Sequence, residues 1–352
     1  MPFLGSAHGA VSYGRARRGA TWVNGGVVTT LAGNGTIAFG DGTGTNATFR
    51  YPAGAAWIPS TNIIAIGASG DNRIRLVTYP GGVVTTLAGS SQGFANGTGT
   101  AAGFWGPTGI AVLPDGNIVV GDQGNNRIRL VTYPGGVVTT LAGSGSGTFA
   151  NGTGADASFN NLHGVAVLPD GNLVVADFNN HRIRLVTYPG GVVTTLAGSG
   201  NNAFADGTGT AASISCPTGV AVLPDGNIVV ADFGNHCIRH ITYPGGVVTT
   251  IAGVGGSAGF ANGTGTVARF VHPWGVVITP TGDIVVSDRG NARVRLVTYP
   301  GGVVTTIAGG GAGSADGTGT AAGFNSPVGI VVVPSGEIVV VEQDGCRVRL
   351  IT

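Results

Sequence analysis

Five histidines, His163, His181, His236, His240 and His272, stand within one half of this chain, together with two of its three cysteines, Cys216 and Cys237. Imidazole and thiolate are the side chains that bind transition metals or exchange protons near neutral pH. Cys216 and His272 occupy matching positions of neighbouring repeats, close in register to His163, and a thiolate with two imidazoles would suit zinc. A chance gathering explains three such residues more simply, so neither a metal nor another cofactor is expected. A second pattern is carboxylate with guanidinium. Asp122, Asp177, Asp288 and Glu342 are followed five residues later by Arg127, Arg182, Arg293 and Arg347, while Asp232 is followed by Cys237 and Ala68 by Arg73. Repetition favours structural ion pairs across a turn over catalysis. A further arginine recurs at Arg75, Arg129, Arg184, Arg239, Arg295 and Arg349. Its stem is expected to cover apolar sheet surface. Calcium is not indicated at the Asp/Asn-Gly-Thr-Gly turns, where only Asp41, Asp206 and Asp316 are charged, and no EF-hand spacing occurs. Nucleophile-elbow, P-loop and dinucleotide patterns are missing from any suitable strand-to-helix context.

The elements that must position these residues are set by a repeat. YPGGVVTTLAG begins at Tyr79 and returns almost unchanged at Tyr133, Tyr188, Tyr243 and Tyr299, with a divergent copy at Trp22 to Gly33. The second valine of each copy (Val28, Val84, Val138, Val193, Val248, Val304) gives intervals of 56, 54, 55, 55 and 56 residues. In one module, Ile110 to Leu113 and Ile118 to Gly121 flank the turn Pro114-Asp-Gly-Asn117. Arg127 to Thr132 and Val137 to Ala142 flank Tyr133-Pro-Gly-Gly136. Proline presets φ and glycine accepts positive φ, so both tetrapeptides read as turns between β-strands. No segment has a helical period. Six four-stranded antiparallel units, each too small to bury both faces alone, predict an all-β, six-bladed β-propeller. The chain stops after the third strand of its last module, so the lone strand at Gly26 to Ala32 is expected to complete the last blade. Residues 1–20 read as an N-terminal tail and 21–352 as one propeller domain.

The pattern G-[IV]-x-V-x-P-x-G-[NDE]-[IL]-V-V-x-[DE]-x-x-N-x-R-[IV]-R, with Val-Ala-Asp177, Val-Ala-Asp232 and Gly-Asn-His236 as examples, resembles the NHL-repeat β-propeller family over about Gly26 to Thr352. The resemblance implies a propeller in which His181 and His236 are turn residues. In one similar branch, the peptidylglycine amidating lyases, Pro-His at the start of the inner strand holds zinc in three blades. Only His163 matches here, and it follows Leu162, so the resemblance does not carry that site over.

Charged residues make up 9% of the chain and the net charge is +1. That argues against nucleic acid, including the RNA bound by some similar proteins. No apolar run approaches 18 residues, so membrane insertion is not expected. Three cysteines make no disulfide framework. Sequons at Asn34, Asn46, Asn96, Asn151 and Asn262 would suit a secreted or cell-surface protein, but Asn96, Asn151 and Asn262 stand at a turn where other copies have aspartate, which weakens that signal. Compartment is left open, and Arg15-Ala-Arg-Arg18 reads as part of a plain tail.

Positions that vary while the scaffold repeats are free to be specific. His163, Thr108, Thr218 and Trp274, with Ala53 and Val328, precede the glycine of each inner strand and should ring one channel mouth. The residue after the turn acid is Phe178, Phe233 or Arg289 in blades three to five. These residues form the candidate binding patch, on the face expected to carry the 20-residue connectors. A non-enzymatic scaffold that presents this face to a protein or glycan partner is the leading reading. The alternative is a lyase or hydrolase acting at the channel mouth, with or without a metal.

Overall fold

The computed structural model describes residues 25–59 and 61–352; the tail 1–20, with Arg15 to Arg18, lies outside them. The repeat folds into six antiparallel sheets arranged as the blades of a propeller. In the second blade the strands are Pro107–Val112, Ile118–Asp122, Arg127–Val131 and Val137–Ala142, numbered first to fourth from the channel outward. The first two strands are buried on both sides, which is why Ile118, Val119 and Val120 are continuous and apolar instead of alternating. A short 3-10 turn, Gln123–Asn125, links the second strand to the third, and Asn126 closes it at φ 51°.

Each blade has a fifth strand that the repeat did not announce. Gly97–Thr98, in the connector, pairs with Val138 and Val137 outside the fourth strand. The connector therefore begins at the mouth face, descends the outer edge of the blade to its Tyr-Pro-Gly-Gly end, and returns to the inner strand. The expectation that connectors lie wholly on the mouth face is corrected by this path. The physical gain is a covered sheet edge.

Ring closure follows the predicted route. Val27–Ala32 lies between Arg347–Ile351 and Gly317–Thr318, with Val28 opposite Ile351 and Thr30 opposite Arg349. Val27 and Thr352 exchange both backbone hydrogen bonds at 3.0 Å. Apolar clusters form between blades, not within them; one joins Val328, Val339 and Val348 of the last blade to Ile64, Ile66 and Val77 of the first.

The inner strands meet at a glycine. A side chain on Gly54, Gly109, Gly164, Gly219, Gly275 or Gly329 would overlap the carbonyl oxygen of the mouth residue in the next blade, and the sixth of these contacts returns from Gly329 to Ala53. The same glycine, with the mouth residue before it, lies in a bulge of the inner strand: Pro107 faces Asp122 but Ile110 faces Val120. An extra residue on one strand bends it and re-aims the side chain there.

The ion pairs differ from the expected ones. Asp122 engages Arg129, seven residues on, at 2.7 Å, and Asp177–Arg184, Asp232–Arg239, Asp288–Arg295 and Glu342–Arg349 repeat the geometry. Arg127, Arg182, Arg293 and Arg347, the partners expected from spacing, form no salt bridge to these acids. Arg127 lies two residue pairs nearer the mouth face, where it donates to Ser144 O at 2.7 Å and stacks over Phe94 at 3.9 Å. Arg129 lies deeper, under the connector, where Ala95 O, Gly103 O and Asn96 Oδ1 also accept from it. These six arginines are fully buried, so they neither cover the sheet surface nor offer an anion-binding ring. In the first blade, where the turn acid is Ala68, Asp71 takes over at 3.3 Å from Arg75. The alternation of Asn96, Asn151 and Asn262 with Asp41, Asp206 and Asp316 is also explained. Each supplies an oxygen to the buried arginine, which amide and carboxylate do equally. Burial pushes the carboxyls of Asp122, Asp177, Asp288 and Glu342 above the usual range despite the adjacent arginines, and that of Asp232 up to about 6.

Candidate functional site

The six mouth positions converge as expected. Ala53, Thr108, His163, Thr218, Trp274 and Val328 line a neck of about 80 Å³ at one end of the channel. Their chemistry is less open than their position suggests. Thr218 is buried and donates to Trp274 O at 2.9 Å, and Thr108 donates to Leu162 O at 3.3 Å, so both hydroxyls tie one inner strand to the next. His163 is buried beside Gln123, whose Nε2 lies 3.2 Å from its Nε2, while its Nδ1 has no hydrogen-bond partner among the described residues. Burial depresses the His163 pKa to about 3, so the ring is neutral at any ordinary pH.

Above the neck the aromatic residues form one continuous cluster across blades three to five. His163 contacts Phe178 at 4.6 Å and Trp274 at 5.0 Å between ring centres, and Phe233 contacts Phe178 at 5.9 Å and Trp274 at 5.4 Å. His272 stacks on Phe233 at 4.4 Å. Arg289 lies 5.2 Å from the indole centre of Trp274, with Gln343 Oε1 at 3.5 Å and Asp344 Oδ2 at 3.9 Å from its guanidinium. Phe178, Phe233, Trp274 and Arg289 are all half-buried, so the two phenylalanines bridge adjacent blades and still present ring surface to solvent.

The looser cluster of Cys216, His163 and His272 does not gather. Cys216 Sγ faces His181 Nδ1 at 3.8 Å and His272 lies against Phe233 and His236. Among the described residues no group of three His, Cys, Asp or Glu side chains is placed to hold an ion. His240, which stands where the other repeats have leucine, is half-buried and stacks on Tyr299 at 5.8 Å.

Sequence reasoning missed the role of His181 and His236. Each occupies the left-handed position that closes the turn before the third strand, and its Nδ1 accepts a backbone N–H from the next blade. Asn72 and Asn126 do the same in earlier blades, and that substitution pattern was the available signal. The far end of the channel is different again. It widens to about 370 Å³ between the valine, isoleucine and alanine side chains of the inner strands, with Trp57 as its one large ring.

Fold and site together define a six-bladed β-propeller with one aromatic-capped end. The NHL repeat model matches residues 104–129, 159–184, 215–241 and 270–295, and the chain is an NHL-repeat β-propeller. It is 27% identical over 284 residues to Protein SUPPRESSOR OF QUENCHING 1, chloroplastic, of Arabidopsis thaliana, covering 76% of this chain and 27% of that protein. To NHL repeat-containing protein 2 of Bos taurus it is 27% identical over 322 residues, covering 80% and 43%. The chain thus spans well under half the length of these relatives. Among solved structures, an auxiliary nutrient binding protein from Bacteroides thetaiotaomicron superposes with a TM-score of 0.70 at 20% identity, over 93% of this chain and 76% of that one. A streptogramin B lyase superposes with a TM-score of 0.57 at 13% identity, over 93% and 98%. At such identities the two structures share the fold alone. Among the described residues no helix is long and apolar enough to cross a membrane.

Proposed function

We propose that this chain is a non-catalytic binding propeller and that its ligand is a glycan seated on the aromatic cap of the channel. The observation that carries the reading is the contiguity of Trp274, Phe178 and Phe233 with the polar groups Arg289, Gln123 and Gln343 at their edge. Flat apolar rings take the C–H face of a sugar, and the amides and guanidinium at the rim take its hydroxyls. A protein partner of ordinary affinity needs about 800 Å² on each side, whereas this patch is confined to three of the blades around a narrow neck. The nutrient-binding propeller among the structural neighbours supports a binding role for the fold.

The lyase or hydrolase alternative finds less support at the neck. Its one titratable mouth residue is His163, held neutral by burial, and its two hydroxyls are committed to backbone carbonyls. General acid–base work needs a group that changes protonation near the working pH. Calorimetric titration with a panel of neutral and acidic oligosaccharides tests the proposal. The wild type should bind at least one member, and Trp274→Ala should weaken that binding about tenfold, near 1.4 kcal/mol, with little change in melting temperature. Binding unaffected by Trp274→Ala, capture of a protein in place of any saccharide, or cleavage of the bound sugar would overturn it.

A further inference from the structure

Four blade junctions are fastened at the mouth face by the same hydrogen bond. The side chain that closes the turn before a third strand accepts the N–H of the residue preceding the next blade's inner strand. Asn72 accepts from Gly106 at 3.0 Å and Asn126 from Asn161 at 2.7 Å; His181 Nδ1 accepts from Cys216 and His236 Nδ1 from His272, both at 3.1 Å. A backbone N–H can only donate. Both imidazoles must therefore present an unprotonated Nδ1 and carry their proton on Nε2. An asparagine oxygen meets no such condition.

We infer that His181 and His236 are acid-labile latches which position the aromatic mouth, so that protonation of Nδ1 loosens both junctions of the fourth blade. The two residues they hold, Cys216 and His272, lie two positions before Thr218 and Trp274. Thr218 in turn bonds Trp274 O, and His272 carries the stacked ring of Phe233. The titratable latches therefore flank the blade that contributes Phe233, and both bear on the strand that presents Trp274. A loosened mouth should hold its ligand more weakly at acid pH, a consequence that rests on the glycan-binding reading above; the latches themselves do not.

Charges around the two rings act in one direction. Burial lowers the pKa of His181 first and Arg182, on its own strand, lowers it further; the Cys216 thiol faces it from the next blade. Burial also lowers that of His236, followed by His272 from the next blade, which itself lies under the influence of Arg289. The turn acids Asp177 and Asp232 behind them are engaged by Arg184 and Arg239. With folded pKa values below the ordinary imidazole value of about 6.5, the neutral rings contribute their full stability above that pH. The contribution is lost as pH falls below it toward the folded values.

Substitution by asparagine isolates the effect. His181→Asn with His236→Asn keeps an acceptor in the conformation, φ 52° and 56°, that asparagine already adopts at Asn126 and Asn72, and removes the titration. Amide hydrogen exchange between pH 7.5 and 5 should show wild-type protection at Cys216 and His272 falling about threefold to tenfold relative to Gly106 and Asn161, as for loss of one hydrogen bond. In the double variant all four amides should keep their ratios. Constant ratios in the wild type, or the same acid loss in the double variant, would overturn the inference. Repeating the oligosaccharide titration at both pH values separates the two proposals. Binding to neither protein at either pH removes the glycan reading and leaves the exchange result to judge the latches, whereas equal wild-type affinity at both removes the coupling to the mouth.

Discussion

Arg75, Arg129, Arg184, Arg239, Arg295 and Arg349 are fully buried in all six blades and donate to the equivalent connector carbonyl each time. The mouth positions Ala53, Thr108, His163, Thr218, Trp274 and Val328 recur at an equally fixed place and share no chemistry. One ring is constant because every module must solve the same problem: a connector, a turn and a third strand have to be joined beneath a small sheet. The other ring varies because the bulge fixes only the backbone there. Each side chain stands where neighbouring blades meet, and in blades three and five it is a ring, His163 and Trp274.

The largest effect should come from breaking the constant ring. Arg184→Ala leaves Asp177 buried without its partner and should lower stability by about 3–5 kcal/mol, measured by urea unfolding. Since burial already raises the Asp177 pKa, and loss of the guanidinium raises it further, the variant should regain part of the difference as pH falls and the carboxyl protonates. A pH-independent deficit would show that the charge is not the cause. A smaller effect is expected at the waist that joins the two rings. Gly164→Ala presses a methyl group on the Thr218 carbonyl and should cost about 1–3 kcal/mol. Its melting temperature should fall while exchange at the second blade stays unchanged. The smallest effect sharpens the comparison: Asn151→Asp gives blade three the acceptor that blades one, four and six already use. At this exposed site it should change stability by less than about 0.5 kcal/mol. A large change would mean that amide and carboxylate are not equivalent there.

Particular residues show how far the sequence could be read. The lone strand at Gly26 to Ala32 was legible as the closing strand because a propeller must hide its edges, and the last module visibly lacked a fourth strand. The patch of His163, Trp274, Phe178, Phe233 and Arg289 was legible because position in the repeat already places residues in space. The acid–arginine pairs were misassigned. Spacing put Arg127 opposite Asp122, and it is opposite in register, but the acceptors that make a buried guanidinium tolerable lie at Arg129, two residue pairs deeper, in a connector roughly 30 residues away in sequence. Asp71 filling the gap left by Ala68 was hidden for the same reason.

The period, the turn chemistry and the apolar inner strands determine the blade and its number from the sequence alone, since these are local properties repeated six times. Tertiary structure decided which arginine is buried, which turn side chains reach the next blade, and that Thr108 and Thr218 turn their hydroxyls into the scaffold. Those outcomes depend on which polar groups meet once neighbouring sheets exclude water, and no single module contains both partners.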